Sequence, residues 1–427
     1  MQTFQELKSR GFCFQGTDES ELEKLLNGAP GVRFYVGFDP TGSSLHVGHL
    51  LPVMAMRLLQ RHGHVPIVLV GGATARIGDP SGKSTARPMM TVEEINANAE
   101  SLKKQLSRFI QPEEGKAFFV NNADWLCKLG YIELLRDVGT IFSVNRMLAQ
   151  ESVKMRLETG LSFLEFNYSI LQAYDFLTLH RELGCQLQLG GQDQWGNMVA
   201  GTELVRRKTG DTVQAITIPL LLNSNGQKFG KTAGGKNVWL DTARTGVFDY
   251  YQFWRNCDDN QVAKLLRYFS PLPLEEIDRL ADPAGNINRA KEILACEATA
   301  LAHGEAAARE AYLAAGSRFG FADPDGRIAT SCAIAAAPRG GAVELPSLEI
   351  APAEFGENGV LVARLLVLAG FAKSNGEGRR LIQGNAVAID DVKVADVNAV
   401  LTAADFAAGA VTLRSGKKNF KRLTLGK

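Results

Sequence analysis

The feature that most constrains the fold is an alternation within residues 33–70. Arg33-Phe-Tyr-Val-Gly37 is a short β-rich run. Residues 48–62 carry Leu50, Leu51, Val53, Met54, Leu58 and Leu59 at helical spacing, and Gly63 can end that helix. Val65-Pro-Ile-Val-Leu-Val70 reads as a buried strand bounded by Gly71-Gly72. Strand, helix and strand in that order make a βαβ unit, the element of a parallel sheet. Further strands are predicted at Cys185–Leu189 and Ala215–Leu222, and helices at Glu93–Phe109 and Phe163–Glu182. The first two-thirds is therefore expected to be an α/β fold, a Rossmann-like doubly wound parallel sheet.

The pattern changes near Thr245, where Ala, Leu, Glu and Arg take over and strand signals fade. We read residues 1–245 as the α/β domain, 246–330 as a helical domain, 331–358 as a Pro/Gly-rich linker and 359–427 as a small α+β domain. Length permits this division, since 427 residues suggest two to four domains. The N-terminus lacks an apolar signal core, and no apolar run is long enough to span a membrane. The six cysteines form no C-x-x-C pair and are read as reduced thiols in a cytoplasmic protein. Net charge near +1 conceals an asymmetry: Leu361–Lys427 holds eleven Lys and Arg against five Asp and Glu. Such a balance suits a polyanionic partner or a solvated basic face.

Three Gly-containing segments bear on chemistry. Gly78-Asp-Pro-Ser-Gly82-Lys83-Ser84 has one residue too few for a Walker A loop, and no G-x-G-x-x-G follows a strand. An ordinary turn explains residues 78–84 equally well. Asp39-Pro-Thr41-Gly-Ser-Ser-Leu-His46-Val-Gly-His49 lies between the first strand and helix. There Gly48 can admit a phosphate to free helix N–H groups, with His46 and His49 on one face. Capping by Ser43 and Ser44 is the plainer alternative. No Cys, Asp or Glu close by completes a metal shell around the two histidines, so no metal site is expected. Lys228-Phe-Gly-Lys231-Thr232 follows a strand and a polar turn, and its lysines can reach a polyphosphate.

HVGH and KFGKT resemble the two signature motifs of class I aminoacyl-tRNA synthetases. The segments YVGFDPT (35–41), GGATARIGDPSG (71–82), LQAYDFL (171–177) and GGQDQWGN (190–197) resemble the bacterial tyrosyl-tRNA synthetases. The tail segments Arg364–Ser374 and Arg379–Val387 are similar to S4 RNA-binding domains. The resemblance implies activation of L-tyrosine by ATP with Mg²⁺, then transfer to tRNA(Tyr), by a homodimer. It implies Thr41, His46 and His49 on the nucleotide, and Lys83, Arg87, Lys228, Lys231 and Thr232 over the leaving pyrophosphate. Gly37, Asp39, Gly48, Gly191 and Asp193 would line the nucleotide, Asp193 at the ribose. Asp79, Tyr168 and Gln172 would hold the α-ammonium, Tyr35 and Asp175 the substrate phenol, and Gln194 the reacting carboxylate. Lys373, Arg379, Arg380, Lys417, Lys418, Lys421 and Arg422 would meet tRNA phosphates. Val36 and Pro52 depart from the family pattern at positions where polar side chains touch the ribose, and KFGKT departs from the commonest form KMSKS. The tryptophanyl enzymes share the fold, but Tyr35, Asp175 and the tail disfavour them. A non-catalytic RNA-binding descendant is the alternative from another class, disfavoured by intact His46, His49, Lys228 and Lys231.

Overall fold

A computed structural model describes the chain except residues 82–89, 114, 223–225, 227–228, 231–235, 337–346, 356–358, 391, 407–409, 417–418 and 427. It divides into two compact units, Met1–Tyr312 with Asp325–Ala337, and Leu313–Pro324 with Pro338–Lys427.

The first unit is built on a six-stranded sheet. Its strands are β1 (Gln15–Gly16), β2 (Arg33–Phe38), β3 (Val65–Val70), β4 (Phe118–Asn121), β5 (Cys185–Gly191) and β6 (Gln214–Ile218), in the order β1-β6-β5-β2-β3-β4. All pairs are parallel except β1 with β6. Counted among themselves, the five parallel strands run 3-2-1-4-5, the doubly wound order, with its switch point between β2 and β5. Strand β3 is buried apart from Val65, as a continuous apolar run in a parallel sheet should be, and β2 is buried at Phe34, Tyr35, Val36 and Phe38.

Several elements depart from expectation for local reasons. Strand β6 stops at Ile218 because Pro219 follows, and proline cannot donate to a ladder. The expected helix 163–182 is two helices, Phe163–Phe166 and Tyr168–Leu183, the second ended by Gly184 in the left-handed region at φ +60°. The helix expected at 93–109 spans Val92–Leu106, opened by a capping box between Thr91 and Glu94. Strands β1 and β4 were not expected. From Val247 the unit is helical, through Val247–Arg255, Val262–Phe269, Leu274–Leu280 and Ile287–His303.

The second unit carries a five-stranded sheet. Within residues 331–358, Ser347–Ile350 (β7) forms a strand of this sheet, parallel to Asn419–Leu425. Val387–Ile389, Val392–Lys393 and Val411–Ser415 complete it. Helices Val362–Leu368 and Asn375–Gln383 share one apolar core with it, where Leu365, Leu366, Ile382, Leu413 and Leu423 are fully buried.

Candidate active site

A cleft of about 570 Å³ opens at the carboxyl ends of β2 and β5, where ligands bind in open α/β sheets. Its walls bring together Tyr35, Gly37, Asp39, Thr41, His46, Gly48, His49, Asp79, Tyr168, Gln172, Asp175, Gly191, Asp193 and Gln194. Val36 and Pro52 line it too. Lys83, Arg87, Lys228, Lys231 and Thr232 lie outside the described residues.

One half of the cleft is a closed polar network. Asp175 is 2% exposed, on the helix 168–183. Its Oδ2 accepts from Asn122 Nδ2 at 3.0 Å and its Oδ1 from Trp125 Nε1 at 2.8 Å. Asn122 also donates to Thr74 Oγ1 at 2.9 Å, Thr74 donates to Asp39 Oδ1 at 2.8 Å, and Tyr168 Oη donates to Asp39 Oδ2 at 2.9 Å. Glycine makes room here: a Cβ on Gly71 would run into Asp39 and Thr74. Burial pushes the Asp175 carboxyl up to about 7 against the pull of Asn122 and Trp125, and the Asp39 charge adds to the rise. Tyr35 is 1% exposed, and its Oη has no hydrogen-bond partner among the described residues. Burial first, then the Asp175 charge, holds its phenol well above the ordinary range. Gln188 Oε1 is likewise buried, unpartnered and at the cleft wall. A site whose buried polar atoms wait for a partner is one built for a polar ligand.

A second network borders the first. Gln194 Nε2 donates to Asp79 Oδ2 at 2.6 Å, and the Ser81 amide donates to Asp79 Oδ1 at 2.9 Å. Asn197 Nδ2 donates to Gln172 Oε1 at 3.2 Å and to Gln194 Oε1 at 3.1 Å. Burial raises the Tyr168 phenol, and the charges of Asp39, Asp79 and Asp175 raise it further. Three carboxylates thus surround one phenol and make this half favourable to a cation.

The other half is built from backbone pairing and two histidines. His46 and His49 stack at 3.8 Å between ring centroids. The Gly48 amide donates to His46 Nδ1 at 3.0 Å, and the His46 amide donates to His49 Nδ1 at 3.2 Å. Accepting at Nδ1, a neutral ring carries its proton on Nε2. Val47–His49 is a 3₁₀ turn capped by His46, and Leu50–Arg61 continues it as α-helix. Two expectations change here. Ser43 and Ser44 do not cap the helix: Ser44 Oγ donates to the Leu45 carbonyl, and the Ser43 carbonyl accepts from Ser101. Nor are the amides of 46–49 free for a phosphate, since Val47 donates to Val238 and His49 to the His46 carbonyl. The donors this segment can turn to an anion are therefore imidazole N–H groups. The second motif lies against the first, because a Cβ on Gly230 would stand 3.1 Å from the Gly48 nitrogen. Phe229 packs on Phe253 at 5.0 Å and on Trp254 at 5.8 Å.

A family model for class I tRNA synthetases (W and Y) matches residues 29–320, and one for a tyrosine–tRNA ligase SYY-like C-terminal domain matches 341–423. The tyrosine–tRNA ligase of Clostridium beijerinckii is 47% identical over 422 residues, 98% of each chain. That of Acetivibrio thermocellus is 45% identical over 424 residues, 99% of each. The chain belongs to the tyrosine–tRNA ligases. Among solved structures, a C-terminally truncated mitochondrial tyrosyl-tRNA synthetase of Aspergillus nidulans matches with TM-score 0.66 at 30% identity, over 74% of this chain and 94% of that one. The tyrosyl-tRNA synthetase of Archaeoglobus fulgidus complexed with L-tyrosine shares the fold, with TM-score 0.58 at 21% identity, over 73% and 100%.

Within this tyrosine–tRNA ligase fold, the sequence missed Asn122, Trp125, Thr74 and Gln188. Asn122 and Trp125 follow β4, itself unexpected, and reach Asp175 from some fifty positions away. Only Asn121-Asn122 after an apolar Phe-Phe-Val run hinted at them. In the second unit Lys373, Arg379 and Arg380 are exposed, and Arg422 is half-buried. Lys421 Nζ donates to the Ala369 carbonyl at 3.1 Å. Lys417 and Lys418 lie outside the described residues.

Proposed function

We propose that this cleft joins L-tyrosine to ATP and then passes the tyrosyl group to tRNA(Tyr), with the residue roles that follow. Class I tyrosine–tRNA ligases take tyrosine, ATP and tRNA as substrates, and this chain is one of them. The tyrosine carboxylate attacks the α-phosphorus, a new acyl–phosphate bond forms, and pyrophosphate leaves. The nucleophile is already an anion, so no general base is required. Rate enhancement rests on alignment and on charge stabilisation.

The observation that carries the reading is the orphaned Tyr35 hydroxyl at the end of a cleft floored by Asp175. A substrate phenol there donates to the Asp175 carboxylate and accepts from Tyr35. Phenylalanine leaves the Tyr35 hydroxyl unpaired and brings Asp175 no donor beyond Asn122 and Trp125, the effect behind the strong rejection known for this enzyme type. Asp79, Tyr168 and Gln172 offer acceptors to the three N–H groups of the α-ammonium, with Gln194 at the carboxylate and Asp193 at the ribose. Thr41 and His46 donate on the γ-phosphate side as the transition state forms, and His49 sits nearer the ribose. Gly37, Asp39, Gly48 and Gly191 shape the nucleotide wall, with Asp39 also anchoring Tyr168 and Thr74. Lys83, Arg87, Lys228, Lys231 and Thr232 receive the pyrophosphate. Val36 and Pro52 offer the ribose no side-chain hydrogen bond.

Mg²⁺ arrives on the nucleotide as part of the substrate, since it keeps much of its water and prefers phosphate oxygens. Among the described residues no group of three His, Cys, Asp or Glu is arranged to hold a metal. We assign residues 1–245 to catalysis, 246–330 to the anticodon arm and 359–427 to S4-like RNA binding, with Ser347–Ile350 of the preceding segment as a strand of the same sheet. Lys373, Arg379, Arg380, Lys417, Lys418, Lys421 and Arg422 would meet phosphates, so charging should fall steeply with salt. The working form is a cytoplasmic homodimer. Exposed Tyr131, Ile132, Val144, Met155, Leu157 and Phe163 in one stretch of chain support a covered face. Among the described residues no helix is long and apolar enough to cross a membrane.

Tyrosine-dependent ATP–pyrophosphate exchange tests the pocket, with phenylalanine and tryptophan in parallel and no tRNA. Exchange with tyrosine alone is expected. Exchange driven by tryptophan would overturn the roles of Tyr35 and Asp175.

A further inference from the structure

Val238-Trp-Leu240 belongs to neither signature motif, yet it is fastened to both. The Val47 amide donates to the Val238 carbonyl at 3.0 Å, and the Leu240 amide donates to the Leu45 carbonyl at 2.9 Å. Between those bonds His46 and Trp239 face each other as an antiparallel bridge. On the opposite side, the Val238 amide donates to the Gly230 carbonyl at 2.9 Å. Val238 and Leu240 are buried, which anchors the segment on either side of Trp239. The Trp239 amide donates to Thr245 Oγ1 at 3.0 Å and ties the segment to the turn before the helical region.

The side chains repeat the pattern. The Trp239 ring meets His46 edge-on, with centroids 5.7 Å apart at 70°. The Arg244 guanidinium carbon lies 3.4 Å from the centroid of the Trp239 ring. His46 in turn stacks on His49. Arg244, Trp239, His46 and His49 thus form a column from an exposed cation to the cleft wall. An imidazole that donates to a developing charge gains from being fixed before the reaction, because misaligned donors lose most of their effect.

We propose that Trp239, clamped by Arg244, is a positioning residue. It holds the His46 ring in the orientation whose Nδ1 faces Gly48, and it sets Gly230 of the second motif relative to that ring. This rests on the role given above to His46. Trp239 lines the cleft beside His46, and the effect proposed for it is exerted through the His46 ring.

The test is a double-mutant cycle on the full chain. Single-turnover adenylate formation and equilibrium tyrosine binding are measured for Trp239→Ala, Trp239→Phe, Arg244→Ala and His46→Ala. The same two readouts are taken for His46→Ala combined with Trp239→Ala or with Arg244→Ala. We expect Trp239→Ala to slow adenylate formation about tenfold, with tyrosine affinity within about twofold of wild type. Trp239→Phe should recover most of the rate. Arg244→Ala should cost about two- to fivefold, the size of a surface cation–π contact. In the His46→Ala background both further substitutions should change the rate less than about twofold. Equal fold-losses in the two backgrounds would overturn the proposal while leaving the role of His46 intact. So would a loss of tyrosine affinity that matches the loss of rate. A wild-type rate in His46→Ala would overturn the role of His46 and the clamp with it. If Trp239→Ala does not fold, the exposed Arg244 carries the same cycle, and additive losses there overturn the proposal.

Discussion

The two halves of the cleft are built by opposite means. Around Asp175 the polar atoms are wired to one another: Asn122, Trp125, Thr74, Asp39 and Tyr168 make a network of side-chain hydrogen bonds in a buried pocket. Around His46 the order comes from backbone pairing, through Leu45, Val47, Val238, Leu240 and Gly230. The first arrangement is rigid and low in dielectric, so a wrong ligand leaves buried groups unpaired. The second brings together two segments remote in sequence and turns imidazole donors toward the cleft. On the roles proposed above, recognition belongs to the pocket and rate enhancement to the junction between segments. Changes in one half should alter affinity, and changes in the other should alter rate.

The largest effect expected is that of His46→Ala. Removing a donor that acts mainly in the transition state should slow adenylate formation by about 10²- to 10³-fold. Tyrosine affinity, read by equilibrium titration, should stay within about twofold. Next is Asp175→Asn, which should weaken tyrosine binding by about 2 kcal/mol, near thirtyfold, and erode discrimination against phenylalanine. The same substitution has a pH signature. Asp175 sits at about 7 in the folded protein, above its ordinary 3.8. Its contribution to stability is therefore fully present below 3.8 and lost as pH rises through 7. Thermal melts from pH 4.5 to 8 should show wild type losing stability relative to Asp175→Asn over that window. Burial outweighs the donors Asn122 and Trp125 in the empty pocket, but on the proposed role the carboxylate is the form that best accepts the substrate phenol. Tyrosine affinity of wild type should thus rise from pH 6 to 8, with proton release detectable by calorimetry in two buffers.

Asn122→Ala sharpens the comparison at lower amplitude. It removes one donor from Asp175 and should weaken tyrosine binding by about 1–2 kcal/mol while moving the pH dependence upward. The maximal rate should change little. The smallest kinetic effect is expected at Glu6, outside both networks. Burial pushes its carboxyl up, but hydrogen bonds from Arg10 and His62 and the charge of Arg61 outweigh this and hold it at about 2. Its contribution is present above the ordinary 4.5 and lost as pH falls toward 2. Glu6→Gln should lower stability by about 1 kcal/mol at neutral pH, seen in denaturant melts, with both kinetic readouts unchanged.

Legibility in the sequence follows the range of the forces involved. Strand Val65–Val70 was readable to the residue, because a continuous apolar run between a histidine turn and Gly71-Gly72 has few other uses. The break at Asn167 and the early stop at Pro219 were marked by residue types that local reading passed over. The cap at His46 was not readable, since it arises from two imidazoles folding back on each other's backbone. Asn122 and Trp125 were only hinted at, by Asn121-Asn122 after an apolar run, for a different reason. Their partner lies about fifty residues away, and a polar pair made by tertiary approach leaves no period in the chain. The motif residues were found because glycine, histidine and aspartate recur there in a family pattern, and that pattern says nothing of the shell behind them.

Single-turnover adenylate formation, followed across a tyrosine titration for wild type, His46→Ala and Asp175→Asn, tests the division of labour most directly. The expected result is a crossed one. His46→Ala should lower the maximal rate at an unchanged half-saturating tyrosine concentration. Asp175→Asn should raise that concentration about thirtyfold with the smaller loss of maximal rate. If both variants lower rate and affinity in the same proportion, the two halves of the cleft do not divide the work, and the account is wrong.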